Sequence, residues 1–171
     1  GLNGYLTKPI RRKELIKTIE EVMVGNHQSM EKSEVIHEEV LQHDTVKILV
    51  AEDNVVNQTV ARHMLSKLGY GLEIAEDGDQ AVRLATSLEY DIIFMDVQMP
   101  NKDGITATKE IRTLDGPNQT KPIIAMTAFA MEKDRDRCID AGMDDYISKP
   151  IKKEDINKML KKWLTPEDVG V

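Results

Sequence analysis

Between residues 46 and 165, five short apolar runs alternate with helical stripes, and this regularity restricts the fold of the chain more sharply than any other. The runs lie at 47–51, 72–75, 92–95, 123–126 and 146–148. Val60, Ala61, Met64, Leu65 and Leu68 form one stripe between them, and Ala81, Leu84, Ala85 and Leu88 form another. The uncharged run at 92–95 reads as a strand buried on both faces, and five units of strand followed by helix call for a parallel sheet with right-handed crossovers and helices on both faces. The expected class is therefore α/β. In such sheets the binding crevice lies beyond the carboxyl ends of the strands.

Those ends carry the chemistry. The run Ile92, Ile93, Phe94, Met95 stops on Asp96, with Pro100 and Gly104 breaking the chain just after it, and the first run is followed directly by Glu52 and Asp53. If the first and third strands are neighbours, three carboxylates converge, and each like-charge pair at about 4 Å costs about 4 kcal/mol at an effective dielectric near 20. Positive charge must offset this. A hard divalent cation with oxygen ligands, Mg2+, suits two or three carboxylates that also receive a phosphoryl group. Lys149 follows the last run and precedes Pro150, so its ammonium is expected to reach Asp96, and Thr127 adds a hydroxyl on the same rim. A metal, a lysine and a hydroxyl around one carboxylate are what phosphoryl transfer to that carboxylate requires.

The 171 residues, 40% apolar and 31% charged, suffice for one domain of ordinary size plus an appendage. A net charge of −7 without a basic cluster argues against nucleic acid as a partner. A single cysteine, Cys138, excludes an intrachain disulfide and reads as a small helix residue in a reducing compartment. No apolar run reaches the roughly 18 residues of a membrane span and no signal-peptide pattern is present, so a cytoplasmic segment without membrane contact is expected, whatever anchors its parent. There is no glycine-rich nucleotide loop, so phosphate cannot be drawn from ATP by this chain alone. His63 reads as a solvated helix residue, and His27, His37 and His43 lack metal-ligand spacing.

The N-terminus repeats the far end: Gly1, Tyr5, Lys8, Pro9 and Ile10 align with Gly142, Tyr146, Lys149, Pro150 and Ile151. Residues 1–24 are thus expected to be the last strand and helix of a preceding domain of the same kind. Residues 25–45 read as a polar linker, 46–165 as the complete domain and 166–171 as a tail.

Glu52-Asp53-Asn54, Asp96 through Gly104, Met126-Thr127-Ala128 and Ser148-Lys149-Pro150 occur in the order and spacing of the receiver domain of two-component response regulators, which residues 46–164 resemble. The wording at 52–58 and 141–150 is most similar to the C-terminal receivers of hybrid sensor histidine kinases. The resemblance implies a flavodoxin-like, doubly wound five-stranded parallel sheet of order 2-1-3-4-5 with helices on both faces, here with an N-terminal helical appendage. It implies that Asp96 accepts a phosphoryl group from a phosphohistidine on a histidine kinase or phosphotransfer domain. Glu52, Asp53, Asp96 and the backbone carbonyl of Gln98 would hold Mg2+, Lys149 would bind the phosphoryl oxygens, and Thr127 and Tyr146 would switch in response. The output would be altered docking, including a homodimer through the last strands and helices or the N-terminal helix.

Three departures stand out. Glu52 replaces a more usual aspartate, which favours a water-mediated metal contact. Lys102 fills a turn position that is often apolar. Phe129, two residues beyond Thr127, would slow hydrolysis of a phosphoaspartate. Two rivals remain: a phosphate-independent receiver-like interaction or dimerisation module, which the intact acidic set argues against, and an aspartate-nucleophile phosphatase, which would want an acid where Gln98 stands.

Overall fold

In the computed structural model, which describes residues 45–128 and 132–164, each apolar run becomes a strand of four or five residues: β1 (Ile48–Ala51), β2 (Leu72–Ala75), β3 (Ile92–Asp96), β4 (Ile123–Thr127) and β5 (Asp145–Ser148). All pair in parallel in the order β2-β1-β3-β4-β5, the flavodoxin-like order that the resemblance implies. Residues 1–44, 129–131 and 165–171 lie outside the described residues, and with them the expectations for the N-terminal fragment, the linker, Phe129 and the tail.

The three central strands are buried along their whole length, while β2 and β5, at the edges, are only partly covered. Side chains alternate between two faces. Ile48, Val50, Ile92, Phe94, Ile124 and Met126 face α1 (Val55–Lys67) and α5 (Lys153–Trp163), meeting Ala61, Leu65, Ile156 and Leu160. Leu49, Ala51, Ile93, Met95, Ile123 and Ala125 face α2 (Gly78–Ser87), α3 (Gly104–Thr113) and α4 (Glu132–Asp140), with Ala81, Ala85, Ala107, Ile111 and Cys138. Small residues on the second set let three helices approach closely. Phe94, the largest fully buried side chain, sits mid-sheet, and truncating such a residue to alanine costs about 3–5 kcal/mol.

Three helix starts are set by capping residues in the loops that follow the strands. The Asn54 side chain accepts from the Val56 N–H, Asp77 from Gln80 and Asp103 from Thr106. Backbone pairing also continues past the strands: the Glu52 N–H donates to the Ala75 carbonyl at 2.9 Å, Val97 to Met126 at 3.0 Å and Lys149 to Thr127 at 2.7 Å. The residues at the sheet's carboxyl edge are therefore fixed by the ladder itself. Among the described residues, no helix is long and apolar enough to cross a membrane.

Candidate functional site

Because β1 and β3 are neighbours with Ala51 opposite Met95, the next residues, Glu52 and Asp96, emerge side by side at the carboxyl edge. Both are buried, at 1% and 4% exposure, although both are acids. Asp53, the following residue, is exposed, yet one oxygen from each of the three carboxylates lies within 4.8 Å of the others. The convergence that depended on strand adjacency is thus realised.

Lys149 is the positive charge among them. Its ammonium lies 2.6 Å from Asp96 Oδ2 and 2.7 Å from Glu52 Oε2, a wider reach than the single contact with Asp96 expected from sequence. Asp96 Oδ1 accepts from the Gln98 N–H at 3.1 Å, and Glu52 Oε1 accepts from Asn57 Nδ2 at 2.9 Å and the Asn54 N–H at 3.3 Å. Burial pushes the Asp96 carboxyl above its usual value despite the lowering pull of Lys149 and Gln98. Burial also works against the charge on Lys149, but its hydrogen bonds to Asp96 and Glu52 outweigh this and hold the ammonium above its usual range. One ammonium, itself partly exposed, serves two buried carboxylates.

Three carboxylates against one ammonium leave a charge of −2 when all are ionised. The donors are all oxygens, the hard set that Mg2+ takes, so the residues present fit that ion. Beside them a cleft of about 460 Å3 opens, lined by Asp53, Gln98, Met99, Asp103, Thr127 and Arg137 among others. Thr127 is the last residue of β4 and buried, with its neighbour Ala128 exposed. Tyr146 is half-buried on β5, three residues before Lys149, with the Arg135 guanidinium 5.5 Å from its ring centre. His63 is exposed on α1.

Several neighbours of the site have contacts that the sequence motifs do not assign. Asn57 and Gln58, in the first turns of α1, bind the side chain and the backbone carbonyl of Glu52, the latter at 2.8 Å. Both fall within the 52–58 wording that carries the resemblance, but that wording does not pair them with Glu52. Lys102 spans Asp79 and Glu110 at 2.8 and 2.6 Å, and Asp134 and Arg137 of α4 border the cleft.

Comparison with known proteins agrees with this fold. The family described as the response regulator receiver domain matches residues 48–161. The osmosensing histidine protein kinase of Saccharomyces cerevisiae is 46% identical over 122 residues, covering 68% of this chain and 10% of the kinase. The chain spans between 4% and 18% of the length of the curated relatives it matches, which are chiefly histidine kinases and hybrid signal transduction proteins. Among solved structures, the receiver domain of a sensor histidine kinase from Pseudomonas aeruginosa, with magnesium coordinated in its active-site cleft, is 47% identical, with a TM-score of 0.64 over 69% of this chain and 96% of that one. A Saccharomyces cerevisiae receiver domain, solved with the histidine phosphotransfer protein upstream of it, is 29% identical, with a TM-score of 0.63 over 69% and 88%.

Proposed function

The chain belongs to the response regulator receiver domain family, the receiving module of two-component phosphorelays, and from that premise we propose that Asp96 is its phosphoacceptor. The observation that carries the reading is the meeting of Glu52, Asp53 and Asp96 under the Lys149 ammonium at the mouth of the sheet.

One Asp96 carboxylate oxygen attacks the phosphorus of a phosphohistidine as the N–P bond breaks. The phosphoryl group passes to Asp96, and the imidazole leaves as the neutral base once its nitrogen is protonated. Lys149, already bonded to Asp96, neutralises the arriving phosphoryl oxygens. Gln98 holds the second Asp96 oxygen through its N–H, which orients the carboxylate. Glu52, Asp53, Asp96 and the Gln98 carbonyl would hold Mg2+, which when bound supplies charge neutralisation to the transferring group. Asn57 and Lys149 orient Glu52 for that task.

The new charge on Asp96, near −2 at neutral pH, biases a two-state element. Thr127 turns its hydroxyl to the phosphoryl oxygens and Tyr146 changes rotamer on β5, altering what docks on the face made by α4, β5 and α5. The donor is a helical histidine kinase or phosphotransfer domain. Val55 and Val56, 71% and 69% exposed at the start of α1, give such a partner an apolar strip beside Asp53. The repeat at residues 1–24 supports a parent with a second receiver upstream, and any ATP-dependent kinase activity resides in other parts of that parent.

Incubating the chain with Mg2+ and a small-molecule phosphodonor, then measuring intact mass, tests this. One phosphoryl group that persists for minutes and is lost in Asp96→Asn is expected. Rapid turnover would favour a phosphatase, and no adduct would leave an interaction module.

A further inference from the structure

The loop from Val97 to Asp103 forms one wall of the cleft, through Gln98, Met99, Pro100 and Asp103. Its middle is under strain. Asn101 has φ 65°, and the Lys102 N–H donates to the Pro100 carbonyl at 2.7 Å, a three-residue turn with positive φ at its centre, which even asparagine adopts at a cost. A turn of this kind persists only where its surroundings over-determine it.

Three contacts do so. At the neck, the Gly104 N–H donates to the Val97 carbonyl at 3.1 Å, and a Cβ on Gly104 would strike the backbone carbonyl of Asp96. Beside the turn, the Lys102 carbonyl lies so close to Gly78, the first residue of α2, that any side chain there would collide with it. The Lys102 side chain, only 19% exposed, then ties the turn to Asp79 on α2 and Glu110 on α3. An apolar residue could not reach both acids with a charge. Asp79 keeps a favourable place in the first turn of α2 without it, so the helix does not depend on the lysine.

We propose that Lys102 is a positioning residue: its two ion pairs lock the strained β3–α3 loop against α2 and α3, keeping the Gln98 backbone at the acid cluster and so setting the affinity for a divalent cation. This rests on the acceptor-site reading given above, in which the Gln98 carbonyl is a ligand. Exposed ion pairs are individually weak, so the effect falls on the opening of the loop rather than on the stability of the fold.

The test uses the full chain and its Lys102→Met and Lys102→Arg variants. Amide hydrogen exchange at Lys102 and Gly104 is followed without metal, Mg2+ is titrated by calorimetry, and urea unfolding is measured in parallel. In Lys102→Met, exchange at both amides is expected to quicken by about threefold to tenfold, as the loss of two weak pairs implies. The Mg2+ dissociation constant rises in step, the unfolding midpoint stays put, and Lys102→Arg restores both quantities. A purely electrostatic role has the opposite sign, because removing a positive charge near the acids tightens cation binding. Unchanged or tighter Mg2+ binding, unaltered exchange, or global destabilisation matching the loop effect would each overturn the proposal. If the unaltered chain binds no Mg2+, the acceptor-site reading fails, and the exchange of the two amides alone decides the role of Lys102.

Discussion

Replacing Lys149 with methionine removes the one ammonium that, among the described residues, touches both buried acids. Its Nζ lies 2.6 Å from Asp96 and 2.7 Å from Glu52, whose side chains are 5% and 2% exposed. The two carboxylates, with oxygens within 4.8 Å, then repel with about 3.5 kcal/mol at an effective dielectric near 20. Breaking a buried pair by deleting one partner costs about 3–5 kcal/mol. Because Lys149 retains some contact with solvent, the lower end applies, and at a urea slope of about 2 kcal/mol/M the midpoint should fall by about 1.5 M at pH 7. The pH dependence follows from the sign of the shift. Burial already raises the Asp96 carboxyl, and without Lys149 less opposes that rise, so the folded variant binds more protons and loses stability as pH rises from about 4 through the raised value. The deficit relative to the unaltered chain is then largest near neutrality and shrinks toward acid. Mg2+ should recover more stability in the variant than in the parent, since a competing cation has left the site. Urea unfolding at pH 5 and pH 7, with and without Mg2+, measures all of this. A variant within about 0.5 kcal/mol of the parent at pH 7, the scatter of an ordinary surface substitution, would refute the reasoning, as would a deficit indifferent to pH.

Asn57→Ala strips one donor from the buried Glu52 carboxylate, and urea unfolding should register a loss of about 1–3 kcal/mol, with phosphoryl uptake slowed rather than abolished. Asp145 accepts from Lys162 at 2.6 Å, from the Tyr146 N–H at 2.9 Å and from Trp163 at 3.3 Å; burial alone would raise its carboxyl, but these bonds prevail and hold it below its usual value. A depressed acid stabilises above its unfolded pKa, so Asp145→Asn should lose about 1 kcal/mol at pH 7, Lys162 being half exposed, with the difference fading as pH falls below the ordinary value of 3.8. Tyr90 donates to Glu73 at 2.6 Å, away from the residues that line the acid cleft; Tyr90→Phe should cost about 1 kcal/mol in thermal or urea unfolding and leave phosphoryl uptake unchanged.

The strands were legible because doubly covered segments must be apolar throughout, and Ile92 to Met95 or Ile123 to Met126 admit few other readings. Apolarity marks three of them one residue short: Asp96, Thr127 and Asp145 are polar, yet they still pair with Met126, Ser148 and Ile124 in the ladder. The acids were legible for the same reason, as charges that end buried runs. The second contact of Lys149 was not, because Glu52 lies 97 residues away and β5 is separated from β1 by β3 and β4. Only the assembled sheet shows that a long side chain spans that distance. The roles of Asn57 and Gln58 were not legible, since nothing in their spacing says that the helix start folds back over Glu52. Lys102 was visible as a charge in an unusual place, but its partners depend on how α2 packs on α3, which no local pattern encodes.

The claim that Asp96 receives the phosphoryl group is tested most directly by site mapping. The chain is treated with Mg2+ and a phosphorylated histidine phosphotransfer domain, reduced with borohydride to trap acyl phosphate, and digested for peptide sequencing by mass spectrometry. The account predicts a single reduced aspartate, at position 96, that vanishes when Mg2+ is chelated. A label on Asp53, on Glu52 or on a histidine, with residue 96 untouched, would contradict it.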